Sequence, residues 1–585
     1  MPRNRRGGGY RRVERSRTRR RPAASQGPSP VAPARPPEGV LLTLTWGDLY
    51  GKFDIDRFLS IVDAAPYDWL VAGLSVLGTI LANAGMPQSS QRGAIAELLQ
   101  GRERRRALDY FDRGERQILA HPEAIALGMK LAALRSPPSD DFGDPSSLVR
   151  LLAGLNELTP PERPGAVSTL LHIHAAQQNL WAEDLVREFD LFHGYEAALA
   201  DNVRYDFGDR FRILTGLDAL DFSAYAFGIY AIFSQYKTGR NLEGVNYRAL
   251  AESTGQRAPK PEEFQRFVSL VSRSREELRQ AFSGPDAERL SLADSIAFRT
   301  APLVRLEHGG VVPVWLEWIQ EKIGSAPRYL IQNSIGTDAE MKRFRGALGE
   351  AFEDYFLELL ARMFPAGAAA IVDARDGLPG CDAVVLVDDA AVFLEFTISE
   401  PSLEMLWSGD EDGLREFASK RLVAQGKLGQ LGSTIKAYQA GELVVAAGRP
   451  LARRIFPVIV TLTPLPLLMG LDRVLRESIQ KDSPAIANGD DNVRPVLFTC
   501  AKDWEILEPL IDTGRLALAG TLDDWLAHGL RSGLGDYLLR DRGFAGTRNP
   551  HLARRWDALA EVLAPRAIEL YGIDANPGPD SAPPT

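Results

Sequence analysis

The chain has 585 residues, two cysteines and a formal net charge of −9 at pH 7, with 45% hydrophobic and 25% charged residues. This length and composition indicate a globular protein of about two to four domains. Because the cysteines are only Cys381 and Cys500, no disulfide framework is expected, and a reducing, cytoplasmic compartment fits.

The charge is unevenly distributed along the chain. Residues 1–36 contain 11 arginines and one glutamate, a net charge of +10. Because the whole chain carries −9, residues 37–585 carry −19. Arginine runs with Gly and Pro predict a disordered tail over residues 1–38, which could neutralise nucleic-acid phosphates. A second disordered tail is predicted over residues 576–585. The acidic remainder is not typical of a protein that coats DNA through a general basic surface.

Residues 39–300 are predicted to form a helical N-terminal region. Apolar residues recur at helical spacing over Arg106–Leu119, Pro122–Leu134 and Leu148–Leu155. The uncharged stretch Leu70–Met86 is near the lower length limit for a membrane span. Its Gly, Ser and Asn residues favour a buried helix instead, so no membrane partner is expected.

An aromatic-rich segment, Leu220–Tyr236, lies inside this helical region. Aromatic residues at helical spacing pack a core more often than they form a base-stacking surface. The segment therefore predicts a core helix, and the region as a whole is expected to select a substrate or bind a protein partner.

A long amphipathic helix is predicted after Thr337. Thr337 and Glu340 have the spacing of a capping box, in which two side chains satisfy free amides at a helix start. Apolar residues then recur at helical spacing until Pro365 ends the pattern. Glu353 lies beside the apolar stripe, so it could reach a site at a sheet edge; the alternative is a solvated glutamate on an ordinary helix.

Two short apolar runs, Ala383–Val387 and Ala391–Phe396, predict strands joined by a hairpin turn at Asp388-Asp389. Alternate residues of a strand share a face, so Phe393, Glu395 and Thr397 point the same way. Glu395 is the charged residue in an otherwise apolar run. Burying such a carboxylate is costly unless it is paired or binds a metal. Asp382, just before the first strand, could meet Glu395 across the hairpin, and two converging carboxylates suit Mg²⁺. The alternative is an edge strand with a solvated polar face.

This order of elements resembles the PD-(D/E)xK nuclease superfamily, which has the restriction-endonuclease-like fold. The shared pattern is a helix with a glutamate, an Asp opening a strand, a Glu on the next strand, then a helix and a further strand, here Arg454–Leu462. The resemblance spans about residues 301–540 and includes the strand pair Pro302–Arg305 and Val312–Val314. It implies a mixed α/β nuclease-like domain over 301–540 after the helical region, with a C-terminal helix over 541–575.

The resemblance further implies metal-dependent hydrolysis of phosphodiester bonds in nucleic acid, with DNA the expected substrate and defence or repair the expected setting. Asp382, Glu395 and Glu353 would bind Mg²⁺ or Mn²⁺. Thr397 stands where the family has Lys, so the positive charge near the phosphate must come from elsewhere.

In some relatives the basic residue comes from the following helix, expected here over Asp412–Ala440. That helix offers Lys427 first and Lys420 second, with Gln430 one turn beyond Lys427. Lys420 and Lys427 are seven residues apart and would share a face of a regular helix; the alternative is a solvated basic face. The alternative function is a catalytically degenerate protein of the same fold that acts as a binding or regulatory module.

Overall fold

The computed structural model describes a helical N-terminal region followed by a mixed α/β region. The residues it describes are 42–82, 92–93, 95–96, 98–113, 117–119, 121–139, 141, 143–158, 182–193, 205–234, 261–284, 290, 294–307, 309–365, 370–373, 380–402, 405, 410–423, 426–446, 450–465, 477, 479–480, 489, 492–530, 532–544 and 546–571. The Arg-rich segment 1–38 and the polar tail 576–585 lie outside them. The described residues fall in one compact unit, Leu42–Thr585.

The N-terminal region combines helices with short strands. Its helices are Trp46–Tyr50 (α1), Ile55–Ala64 (α2), Tyr67–Ala82 (α3), Gly101–Phe111 (α4), Pro122–Arg135 (α5), Ser146–Leu158 (α6), Ala182–His193 (α7), Phe207–Thr215 (α8), Ala219–Ser234 (α9), Pro261–Val271 (α10), Arg275–Ala281 (α11), Ser295–Thr300 (α12), Leu316–Ile323 (α13) and Ala326–Ser334 (α14). Its strands are Leu42–Thr43 (β1), Gln117–Ile118 (β2), Ser272–Arg273 (β3), Leu303–Arg305 (β4) and Val311–Pro313 (β5).

Several sequence predictions for this region are confirmed and one is wrong. Helix α3 is buried over Leu70–Thr79, as expected for a core helix. None of the described helices is both long and apolar enough to cross a bilayer. The helix expected over Arg106–Leu119 instead ends at Phe111, because the chain turns and then pairs β2 with β1 in parallel.

The aromatic helix α9 packs in the core, as predicted. The rings of Tyr225 and Phe267 stack with centroids 5.4 Å apart. The hydroxyl of Tyr571, at the end of the chain's last described helix, donates to the Tyr225 carbonyl at 2.7 Å. The C-terminal helix therefore closes against the N-terminal region.

The α/β region follows with its own helices, strands and two π-helical segments. In chain order these are Asp338–Met363 (α15), Ala370–Asp373 (β6), Ala383–Val387 (β7), Ala390–Thr397 (β8), Glu411–Phe417 (α16), the π-helix Ala418–Val423, Lys427–Gln439 (α17), Arg454–Thr461 (β9), Leu497–Cys500 (β10), Ala501–Asp512 (α18), Leu518–Ala527 (α19), Leu534–Asp536 (α20), the π-helix Tyr537–Asp541 and Pro550–Tyr571 (α21).

A five-stranded mixed sheet organises this region, in the order β10-β9-β8-β7-β6. Strands β6, β7 and β8 form an antiparallel meander, whereas β9 and β10 run parallel to β8. Strand β6 was not expected from the sequence. The strand pair β4–β5 joins β3 in a separate sheet, and its side chains pack in the core of the N-terminal region.

The two faces of the sheet are covered by different helices. Val392, Leu394 and Phe396 pack with residues of α15 and α18 in one core. Phe393 packs on the other face with Leu428 and other residues of α17. This division follows from strand alternation and places Glu395 on the face that α17 covers.

Candidate functional site

The β7–β8 hairpin brings Asp382 and Glu395 together. Ala383 pairs with Leu394 in the strand register, so the residues just beyond this pair, Asp382 and Glu395, are neighbours. The Asp382 amide donates to the Leu394 carbonyl at 3.0 Å, and Asp382 Oδ2 accepts from the Phe396 amide at 2.6 Å. These two bonds fix the Asp382 carboxylate beside Glu395, as the sequence pattern predicted.

Glu395 is a buried carboxylate with only one of its oxygens satisfied. Its residue exposure is 1%; Oε1 accepts from the Lys427 ammonium, and Oε2 has no hydrogen-bond partner among the described residues. Burial first, and then the charge of Asp382, raise the pKa of Glu395 to about 8. An unpaired buried carboxylate oxygen is energetically costly, and a bound cation would offset that cost.

Lys427 provides the positive charge at this site. Its Nζ pairs with Glu395 and lies 3.8 Å from Asp382 Oδ2. Burial alone would lower the pKa of Lys427, but the carboxylates of Glu395 and Asp382 outweigh burial and raise it. The ammonium therefore stays charged between the two acids.

Backbone conformation at Gly426 sets the position of Lys427. Gly426 adopts a left-handed conformation with φ of 84° and precedes Lys427, the first residue of α17. Such a backbone strongly favours glycine. A cation at a helix N-terminus is disfavoured by the helix dipole, so the pair with Glu395 offsets an otherwise unfavourable location.

Glu353 lies on the same cleft as Asp382 and Lys427, and its charge contributes to the raised pKa of Glu395. Within the described residues, however, no group of three or more His, Cys, Asp or Glu side chains is arranged to hold a metal ion. Asp382 and Glu395 offer only oxygen, the donor type that a hard divalent cation prefers, and Glu395 Oε2 has no partner among the described residues.

The structure places the other two predicted site residues away from the acids. The helix expected over Asp412–Ala440 is interrupted by a π-helix and by the left-handed Gly426, so seven-residue spacing does not put Lys420 and Lys427 on one face. The side chain of Lys420 is 69% exposed and pairs with Glu416. Gln430 is also exposed and is not among the residues that line the cleft.

The cleft in front of the acids has a volume of about 390 Å³ and is lined by three arginines that the sequence pattern does not single out, Arg328, Arg345 and Arg421. Arg328 is buried and pairs with Glu188 and Glu400, which leaves Arg345 and Arg421 as the arginines of interest. Arg345 precedes Glu353 on α15 by two turns, and Arg421 comes from the π-helix after α16. The helical spacing of Arg345 and Glu353 could have predicted that both lie on the same side of α15. The placement of Arg421 could not be predicted in this way, because it depends on the π-helix.

Glu400, just after β8, accepts hydrogen bonds from two hydroxyl groups and lies near an arginine. Glu400 Oε2 accepts from the hydroxyls of Tyr329 and Thr463, each at 3.1 Å, and Oε1 lies 3.6 Å from Arg328 Nη1. Glu400 lines the cleft, but these contacts tie its charge to α14. Glu400 therefore has a structural role.

Cys381 lies next to Asp382 but packs in the core beneath α17. Burial, followed by the charges of Glu395 and Asp382, raises the pKa of the Cys381 thiol to about 12. A neutral buried thiol is a poor ligand for a hard cation, so Cys381 acts in packing.

Comparisons with protein-family models, curated proteins and solved structures found no match to this chain. The chemistry of the site is therefore the basis for assigning a function.

Proposed function

We propose that this protein is a metal-dependent nuclease that hydrolyses phosphodiester bonds, with DNA as its substrate and defence or repair as its setting. The proposal extends the resemblance of residues 301–540 to the PD-(D/E)xK superfamily. The observation that supports it best is the buried Glu395 carboxylate, whose Oε2 lacks a partner in the described structure. This carboxylate lies beside Asp382 and Lys427, and those two residues line a cleft.

Asp382 and Glu395 would bind Mg²⁺ or Mn²⁺, and Glu353 would contact the ion through water. When bound, such an ion makes water a better nucleophile and stabilises negative charge on phosphate. Both ligands offer only oxygen, which matches the preference of these hard cations.

Lys427 would carry out the role that Thr397 cannot. Thr397 shares the face of Glu395, but its short hydroxyl bears no charge, and its Oγ1 accepts from the Ser399 amide at 3.1 Å. The Lys427 ammonium reaches the same acids from α17. There it can orient the attacking water and stabilise the charge that develops on the phosphate.

The test is cleavage of supercoiled plasmid, single-stranded DNA and RNA by the purified full-length chain with Mg²⁺ or Mn²⁺. Wild type is expected to cut DNA, and Glu395→Ala and Asp382→Ala are expected to abolish cutting. Glu416→Ala, which changes an exposed glutamate outside the cleft, is the control and should cut normally. Cutting that survives Glu395→Ala would contradict the proposed site.

The second candidate is a degenerate nuclease fold that serves as a binding or regulatory module. Lys427 favours it in one respect, because its ammonium already neutralises Glu395 and competes with a metal for Oε1. In that case wild type would cut no substrate, and millimolar Mg²⁺ would leave its thermal stability unchanged.

A further inference from the structure

The cleft continues beyond the acids along one face of α15. Arg345, Gly349 and Glu353 are spaced four residues apart, so they lie in a row on that face, and all three line the cleft. Arg345 and Glu353 are eight residues apart, which corresponds to about 12 Å along the helix axis. A ligand that reaches both must therefore be extended.

Gly349 leaves the middle of this row open. A Cβ built at Gly349 would meet no atom within 4 Å. Glycine inside a helix costs about 1 kcal/mol relative to alanine, and no neighbouring side chain requires it here. The missing side chain leaves the helix backbone accessible on the cleft wall, where a ligand backbone can approach closely.

Arg345 stands at the end of the row farthest from Glu353, and a second arginine, Arg421, lines the same cleft. Partial desolvation and then the nearby charge of Arg421 lower the pKa of Arg345. Among the residues that the structure describes, no carboxylate forms an ion pair with Arg345. Like charges held together are unfavourable, and an anion between them relieves the repulsion.

Phosphate is an anion that this pair suits, because planar guanidinium groups bind phosphate oxygens in a bidentate manner. At the end of the cleft that holds Asp382 and Glu353, the carboxylates would repel an anion unless a cation is bound there. The end that holds Arg345 and Arg421 is therefore the one that attracts a phosphate without a metal. The row thus separates an anion-binding end from a metal-binding end.

We propose that Arg345 and Arg421, with Gly349 as the open wall between them and the acids, form a subsite for a backbone phosphate of a nucleic-acid strand. Phosphates follow one another at 3.4 Å along the axis of each duplex strand, so about 12 Å spans about three to four nucleotides. The inference rests on the proposed nuclease function and specifies its substrate as a polymer that must extend about three nucleotides from the scissile phosphate.

The test measures binding separately from cleavage. Full-length wild type and the variants Arg345→Ala, Arg421→Ala and Arg343→Ala are titrated with a fluorescein-labelled DNA duplex in EDTA, and anisotropy gives the affinity. Arg343 is the matched control, since it is exposed on another face of the same helix and does not line the cleft. Each cleft variant should bind about tenfold more weakly and lower the salt slope by about 1, and Arg343→Ala should match wild type.

Gly349→Gln provides a second test that leaves every charge in place. It should weaken DNA binding, whereas Gly429→Gln should not, because Gly429 is a similarly open helical glycine outside the cleft. DNA affinity that is unchanged in Arg345→Ala, Arg421→Ala and Gly349→Gln would overturn the subsite, as would an equal loss in Arg343→Ala.

Loss of cleavage in Glu395→Ala alongside such unchanged affinity would show that the nuclease proposal stands while the subsite fails. DNA binding through both arginines without any cutting by wild type would show the reverse.

Discussion

At the residue scale, Glu395 couples burial to protonation. Its pKa is raised from 4.5 to about 8 by burial and by Asp382. A carboxyl group whose pKa is higher in the folded state contributes stability that is fully present below pH 4.5 and is lost as the pH rises through about 8. Without a metal, the ionised Glu395 therefore destabilises the fold most at alkaline pH. A bound cation would offset this loss of stability most under the same conditions.

Replacing Glu395 with glutamine should remove this pH dependence. The neutral side chain of Glu395→Gln does not ionise, so the metal-free variant should become more stable than wild type as the pH rises from about 5 to about 8. The expected gain at the upper end is on the order of 4 kcal/mol. Urea unfolding in EDTA at both pH values measures it, and a stability difference that does not change with pH would contradict the assignment.

At the element scale, the hairpin and the long helix were predictable because local rules decide them. Thr337 accepts from the Glu340 amide and starts α15, and alternation along β8 separates its two faces as expected. The Glu340 side chain does not complete the capping box; it instead accepts from the Tyr205 hydroxyl at 3.1 Å and pairs with Arg210. A partner 135 residues away in sequence overrides the local rule.

The segment between α16 and α17 was not predictable from periodicity. Its apolar pattern fits one continuous helix, but the π-helix changes the number of residues per turn and Gly426 restarts the helix at Lys427. The choice between Lys427 and Lys420 depends on this break. Arg421 was missed for the same reason, because it lies in the π-helix.

Substitution of Gly426 tests whether this break positions the site. Its φ of 84° is unfavourable for alanine, so Gly426→Ala should destabilise the fold by about 1 to 2 kcal/mol and reduce cleavage by displacing Lys427. The control is Gly429→Ala, because a Cβ meets no atom within 4 Å at either glycine. Gly429→Ala should stabilise α17 by up to about 1 kcal/mol and leave cleavage unchanged. Thermal melts and plasmid cleavage report both effects; equal behaviour of the two variants would argue against a positioning role.

At the scale of the whole molecule, a buried ionic network joins the helical region to the α/β region. Arg187 of α7 donates to both oxygens of Glu505 in α18, at 2.8 and 2.6 Å, and to Asp184 at 2.7 Å. The Tyr355 hydroxyl of α15 donates to Glu505 at 2.6 Å. Sequence periodicity gives no sign that Glu505 belongs to this network, because Arg187 and Tyr355 each lie more than a hundred residues from it.

Breaking the network on one side should be costly. Arg187→Met leaves the Glu505 charge buried without its main partner, so a loss of about 3 to 5 kcal/mol in the free energy of unfolding is expected. The double variant Arg187→Met/Glu505→Met removes both charges and should recover much of that loss. Denaturant unfolding of the single and double variants measures the coupling, and additive losses would contradict it.

The central claim is that Asp382 and Glu395 form a divalent-metal site for which the Lys427 ammonium competes. The most direct measurement is calorimetric titration of Mn²⁺ into wild type, Asp382→Asn, Lys427→Met and the exposed-lysine control Lys420→Met. We expect Mn²⁺ to bind wild type, to bind Asp382→Asn at least about tenfold more weakly, and to bind Lys427→Met more tightly even though that variant no longer cuts DNA. Lys420→Met should match wild type. Absence of Mn²⁺ binding in both wild type and Lys427→Met would contradict the claim.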